Sequence, residues 1–143
     1  MTDEEKTVLN RILLVDDEEQ LLDMFKRIIS SHFPELLIDT ARNGEEAVDQ
    51  VARHHHGLIV MDMSMPGISG EEAYFRIKKL SSERKWDMPC FVFCTGYDVK
   101  RGLKPILNEG SGNVCLRKPM TLTDLVDAIR TQRERQMQQR ANG

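Results

Sequence analysis

Four short, unbroken apolar runs, Ile12 to Val15, Leu58 to Met61, Cys90 to Cys94 and Val114 to Leu116, constrain most what this chain can fold into. An apolar run of four or five residues without polar alternation suits a strand covered on both faces, which is the situation inside a parallel sheet. Between the runs the apolar spacing changes to that of helices. Leu21, Leu22, Phe25, Ile28 and Ile29 make one stripe, Ala47, Val48, Val51 and Ala52 a second, Ala73, Ile77 and Leu80 a third, and Leu122, Leu125, Val126 and Ile129 the last.

Helix-start signals agree with this alternation. Ser69 followed by Glu72 reads as a capping box, and Asn43 and Thr121 stand where N-caps are wanted. Leu36 to Ala41 is a weaker strand, half polar through Asp39 and Thr40, and suits a sheet edge. The chain then holds five β/α units. Right-handed crossovers predict an α/β fold with a doubly wound five-stranded parallel sheet, for which the flavodoxin-like order 2-1-3-4-5 is expected. One unit is irregular: Asp98 to Glu109 carries Gly102 and Pro105, which cost a helix interior about 1 and about 3 kcal/mol. A short, kinked or mobile helix is expected there.

A length of 143 residues and 40% hydrophobic content fit one core. The expected organisation is an N-terminal tail over 1–9, one domain over 10–132 and a polar extension over 133–143. Arg130 to Arg140 holds four arginines and one glutamate and is expected to continue the last helix into solvent. The formal net charge of -3 gives no chain-wide field for nucleic acid or an anionic membrane. The start, MTDEEKTVLN, lacks the basic and apolar pattern of a signal peptide, and no apolar run reaches spanning length, so a soluble cytoplasmic protein is expected. Cys90, Cys94 and Cys115 lie within apolar runs and read as small buried hydrophobes in a reducing compartment. The run His54, His55, His56 has no carboxylate or thiol spaced around it as a ligand set and reads as a solvated helix end.

In an open parallel sheet, ligands bind beyond the carboxyl ends of the strands. Those ends carry Asp16, Asp17 and Glu18, then Asp62, then Thr95 with Gly96, then Lys118 with Pro119. Taken singly, each residue has a plain structural role as an N-cap, a turn residue or a solvated cation. Together they define a chemistry. Neighbouring carboxylates repel and raise one another's pKa unless a cation neutralises them. All-oxygen ligands favour a hard ion, Mg²⁺ before Ca²⁺. A carboxylate beside Mg²⁺ and an ammonium is equipped to attack phosphorus and become an acyl phosphate.

The segments LLVDDEE, LIVMDMSMPGISG, FVFCTG and LRKP, in this order, resemble the receiver domain of two-component response regulators over about Asn10 to Gln132. The resemblance implies the (βα)5 receiver fold with Asp62 as phosphoacceptor, Asp16 and Asp17 as the acidic pair, and Asp17 as a direct Mg²⁺ ligand. It also implies that Ser64 offers its backbone carbonyl to the ion, that Thr95 is the switch hydroxyl, that Lys118 contacts the phosphoryl group, and that the Lys118–Pro119 bond is cis. The implied role is a signalling switch, not an enzyme acting on other molecules. Its partners are a sensor histidine kinase or phosphotransfer protein and a downstream protein target; a phosphorylation-dependent homodimer is left open.

Two departures matter, and one is that the irregular segment with Gly102 and Pro105 lies on what is usually the family's signalling surface. The other is that receiver domains commonly carry Tyr or Phe three residues before the lysine, where this chain has Cys115. The switch is therefore expected to act through 96–110, with Tyr97 supplying the aromatic group. A haloacid-dehalogenase-type phosphatase needs a second aspartate where Ser64 stands. A flavin-mononucleotide binder would meet repulsion from Asp16, Asp17 and Glu18. A degenerate receiver acting as a scaffold would not need Asp17, Asp62, Thr95 and Lys118 all intact.

Overall fold

The computed structural model of the chain describes residues 1–96, 103–108 and 112–142. Its elements run α1 (Asp3–Leu9), β1 (Arg11–Val15), α2 (Glu19–His32), β2 (Leu37–Ala41), α3 (Gly44–Arg53), β3 (Leu58–Asp62), α4 (Gly70–Glu83), β4 (Cys90–Thr95), α5 (Leu103–Asn108), β5 (Val114–Arg117) and α6 (Leu122–Asn142). The five strands form one parallel sheet in the order β2-β1-β3-β4-β5. This is the doubly wound order expected from the alternation of runs and stripes.

Strand alternation sorts the apolar runs into two cores. Leu13, Val15, Ile59, Met61, Phe91 and Phe93 face α3, α4 and α5 through Ala47, Val51, Tyr74, Ile77 and Ile106. Ile12, Leu14, Leu58, Val60, Val92 and Cys94 face α2 and α6 through Leu22, Ile29, Leu125, Val126 and Ile129. Each large side chain so covered contributes about 1.5–3 kcal/mol of burial free energy, and all five residues of β3 are buried. The central strand thus fixes where its last residue, Asp62, emerges. The outer strands β2 and β5 are only partly covered.

The caps form largely as the sequence signals them. Asn43 Oδ1 accepts the Glu46 N–H at 2.8 Å and Ser69 Oγ accepts the Glu72 N–H at 3.0 Å. Glu72, expected to complete a capping box, turns its carboxylate to Arg76 at 3.1 Å. At the other end of α4, Lys85 takes φ 58 so that the Trp86 N–H reaches the Ser81 carbonyl and the Lys85 N–H the Ser82 carbonyl. That pair of bonds is a Schellman closure, normally built on glycine. α5 is six residues long with Pro105 in its first turn, where proline's missing N–H costs nothing. Gly102 and half of the irregular segment, 98–102 and 109, lie outside the described residues.

Three expectations are corrected. Within the segment read as a tail, α1 is a capped helix, closed by the reciprocal bonds of Thr2 and Glu5. The histidine run is not simply a solvated helix end: His56 is fully buried, with Nε2 2.7 Å from Asp39 Oδ2, and Asp39 also pairs with Arg11 at 2.7 Å. The carboxylate satisfies Nε2, while Nδ1 is buried with no hydrogen-bond partner among the described residues. Finally, the end of α6 continues as a helix but is not free in solvent. Arg133 donates to the Leu9 carbonyl at 2.8 Å and pairs with Glu35, while Gln132 and Gln136 donate to the Gly112 and Gly57 carbonyls, both at 2.7 Å. These carbonyls belong to the end of α1 and to the loops entering β3 and β5, and α6 crosses that rim as a belt.

Candidate functional site

The residues singled out in the sequence meet at the carboxyl ends of β1, β3, β4 and β5. Asp62 closes β3 and is buried; Asp16 follows β1 and is buried; Asp17 beside it is exposed. Asp16, Asp17 and Asp62 each bring a carboxylate oxygen within 4.8 Å of the other two. Among the described residues this is the one group of histidine, cysteine and carboxylate side chains so arranged for an ion.

Local backbone bonds hold the acids in place. Asp16 Oδ1 accepts the Glu18 N–H at 3.0 Å, and Asp62 Oδ1 accepts the Ser64 N–H at 2.9 Å. Both are Asx turns, in which a short carboxylate ties down the backbone two residues on. The Met63 N–H bonds the Cys94 carbonyl at 2.9 Å, which prolongs the β3–β4 ladder past Asp62. From α3, Glu45 accepts the Ile68 N–H at 3.3 Å and holds the loop that carries Ser64.

Lys118 supplies the cation. Its Nζ stands 2.9 Å from Asp62 Oδ1, and its position follows from the end of β5, where the Lys118 N–H bonds the Thr95 carbonyl at 2.7 Å. The Lys118–Pro119 peptide is cis. Thr95 is buried at the end of β4. Cys115 is half-buried beside Phe93, packed against the core cluster on the face of α3, α4 and α5. Tyr97, assigned to the switch, lies outside the described residues.

The electrostatics match an unneutralised acid cluster. Burial pushes the Asp16 carboxyl up from 3.8 to about 6, and the charges of Asp62 and Asp17 add to it against the Glu18 hydrogen bond and Lys118. Burial alone would lower the Lys118 ammonium, but its bond to Asp62 and the charges of Asp62 and Asp16 outweigh this and raise it. The Cys94 thiol, behind Asp62, is pushed up to about 12 by burial and stays protonated. A hard divalent cation fits: three carboxylate oxygens converge, and one of these carboxyls is raised by its burial and, to a lesser degree, by its neighbours' negative charge.

Sequence reasoning brought together Asp16, Asp17, Asp62, Thr95, Ser64 and Lys118. It overlooked the Ser64 N–H and the Glu45 clamp. The first was legible as an Asp-x-Ser turn; the second joins residues 23 positions apart and has no local signal.

A family model described as response regulator receiver domain matches residues 12–130. The chemotaxis protein CheY of Halobacterium salinarum is 29% identical over 119 residues, covering 83% of this chain and 92% of that protein. A response regulator receiver domain protein from Clostridium thermocellum superposes with a TM-score of 0.72 at 26% identity, over 89% of this chain and 96% of that one. The response regulator TrrA of Thermotoga maritima, solved in complex with Mg(2+)-BeF, superposes with a TM-score of 0.66 at 27% identity, over 86% and 98%. With its sheet order and the match along nearly its whole length, the chain belongs to the response regulator receiver domain family.

Proposed function

We propose that this receiver is a phosphorylation-driven switch in which Asp62 takes a phosphoryl group from a histidine kinase or phosphotransfer protein. The observation that carries the reading is the Lys118 ammonium 2.9 Å from a buried Asp62 whose neighbours are the carboxylates of Asp16 and Asp17. Asp17, Asp62 and Asp16, with the Ser64 carbonyl, would hold Mg²⁺, which when bound supplies positive charge to the transferring phosphoryl oxygens. The relative TrrA, solved with Mg(2+)-BeF, supports that assignment.

The Ser64 N–H and Lys118 both bond Oδ1 of Asp62, which turns the other oxygen, Oδ2, toward the donor as nucleophile. Oδ2 forms the new bond to phosphorus, the phosphorus–nitrogen bond of the phosphohistidine breaks, and its electron pair returns to the imidazole. The product is an acyl phosphate on Asp62. Water attacking phosphorus later releases inorganic phosphate and restores the carboxylate. The protein thus turns over only its own phosphoryl group and is not an enzyme acting on other substrates.

The phosphoryl group brings about -1.5 to -2 charge and new acceptor oxygens, which draw on the Thr95 hydroxyl and Lys118. Cys115 is too small to carry that movement outward as an aromatic ring. The output to a downstream protein, or to a second copy of the chain, is then carried by 96–110, which includes α5, Thr95's neighbour Gly96 and Tyr97. Hydrogen exchange with and without beryllofluoride tests this: protection must change in 96–110 more than anywhere outside the acidic pocket.

The function itself is tested by incubating the protein with phosphoramidate and Mg²⁺ and weighing it by mass spectrometry. One phosphate is gained by the parent and none by Asp62→Asn or in chelator. A gain that survives either control refutes the reading.

A further inference from the structure

The loop from Met63 to Ser69, which follows Asp62, is seated on the first turn of α3. Gly44, the first residue of that helix, lies so near the Ile68 side chain that a Cβ at position 44 would stand 2.5 Å from Ile68 Cγ1. Glu45, next along, accepts the Ile68 N–H through Oε1 at 3.3 Å. Its carboxylate also fills the notch left by Gly67, where a Cβ would meet Oε2 at 3.0 Å and Oε1 at 3.2 Å. Ile68 is thus held at both its side chain and its N–H by a helix start that Asn43 caps.

The seat is closely coupled to Asp62. Met63 is still tied to β4 by its N–H bond to the Cys94 carbonyl, and Ser64 is the first residue past that tie. Only Met65, Pro66 and Gly67 separate Ser64 from Ile68. Pro66 has a fixed φ, and Gly67 takes the left-handed φ 88 that a side chain would strain, so a restraint on Ile68 passes to Ser64 through a stiff turn. Ser64 in turn donates its N–H to Asp62 Oδ1 at 2.9 Å. The last torsion of an aspartate is soft, so its two oxygens keep their places only while that bond and the one from Lys118 are made.

We propose that Glu45 is a positioning residue for phosphoryl transfer, a role that rests on Asp62 being the phosphoacceptor. By clamping Gly67 and Ile68 it keeps the Ser64 N–H on Asp62 Oδ1, and so keeps Oδ2 free as the nucleophile. Glu45 stands outside the group of carboxylates placed to share an ion and acts through the loop. Its contribution is a hydrogen-bond acceptor at the right place, not a negative charge, which beside an anionic donor would slow the approach.

The test compares the full chain with its Glu45→Ala and Glu45→Gln variants. Each is given phosphoramidate at saturating Mg²⁺, and growth of the phosphorylated mass gives the rate constant; hydrogen exchange read by NMR follows the Ser64 amide without donor. Glu45→Ala should lower the rate constant roughly three- to tenfold, the value of one net hydrogen bond. It should also speed exchange of the Ser64 amide by a larger factor than that of central-strand amides such as Val60. Glu45→Gln, which discards the charge and keeps an acceptor oxygen, should stay within about twofold of the parent in both readouts. Both variants remove the same carboxylate from the first turn of α3, so a purely stabilising role at the helix start would affect them alike. A parent that takes no phosphate would refute Asp62 as phosphoacceptor and this role with it. A phosphorylated parent with Glu45→Ala equally fast, with unchanged Ser64 exchange in that variant, or with Glu45→Gln as slow as Glu45→Ala, would overturn the role of Glu45 and leave Asp62 as phosphoacceptor standing.

Discussion

Nζ of Lys118 lies 2.9 Å from Oδ1 of Asp62, joining the ends of two strands that are not neighbours in the sheet, since β4 stands between β3 and β5. The ion pair therefore reports the relative placement of three strand ends. If the ammonium also faces the transferring phosphoryl group, Lys118→Ala should slow phosphorylation of the chain by phosphoramidate about 10²-fold, the usual loss for one positioned electrostatic donor. Lys118→Arg should recover part of this. The rate constant is read from the growth of the phosphorylated mass over time.

Asp16→Asn should stabilise the protein in the absence of divalent cations. Holding Asp16 at about 6 in place of 3.8 corresponds to a penalty on the order of 3 kcal/mol on its ionised form. Asparagine keeps the acceptor for the Glu18 N–H and removes the charge. The sign follows from the raised pKa. Below about 4 the parent carboxyl is protonated in both states and parent and variant should be nearly equal in stability. Between about 4 and 6 the unfolded chain ionises first, and the advantage of the variant should open, to remain constant above. Urea midpoints measured from pH 3.5 to 7.5 in chelator check the curve; Mg²⁺ should shrink the difference by stabilising the parent.

The buried contact of His56 with Asp39 makes a different pH prediction. Burial outweighs the attraction of Asp39 and lowers the His56 pKa below 6.5. Asp39 is itself lowered: burial would raise it, but hydrogen bonds from Arg11 and His56 dominate. His56→Ala should cost about 3 kcal/mol at pH 8, by opening a cavity and weakening a buried pair. Because the folded ring resists a proton that the unfolded chain accepts, the stability owed to His56 is full above 6.5 and falls as pH drops through and below that value. The gap between parent and variant should narrow from pH 7 to pH 5, and denaturant titrations at those two values test it.

The fold was legible because its determinants are local. Unbroken runs such as Leu58 to Met61 announce buried parallel strands, and stripes such as Leu125, Val126 and Ile129 announce the helices that cover them. The candidate site was legible for a related reason, since strand ends are where a parallel sheet places polar residues: Asp16, Asp62 and Thr95 directly follow or close an apolar run, and Lys118 comes one residue, Arg117, after another. What escaped was set by partners distant in sequence. His56 is polar beside two other histidines, and only the arrival of Asp39 from β2 makes it a core residue. Arg133 and Gln136 lie in a polar, arginine-rich stretch and look solvated, yet their targets are main-chain carbonyls up to 124 positions away. α1 was missed for want of an apolar stripe, although Thr2 and Glu5 carried its capping signature.

The assignment of Asp62 as phosphoacceptor is tested most directly by trapping the acyl phosphate. After incubation with phosphoramidate and Mg²⁺, borohydride reduces an aspartyl phosphate to homoserine, and tandem mass spectrometry of the digest reads which residue was converted. The account predicts homoserine at position 62 alone, absent when Mg²⁺ is chelated. Homoserine at position 16 or 17 with none at 62, or phosphate that resists base and leaves no homoserine, would contradict it.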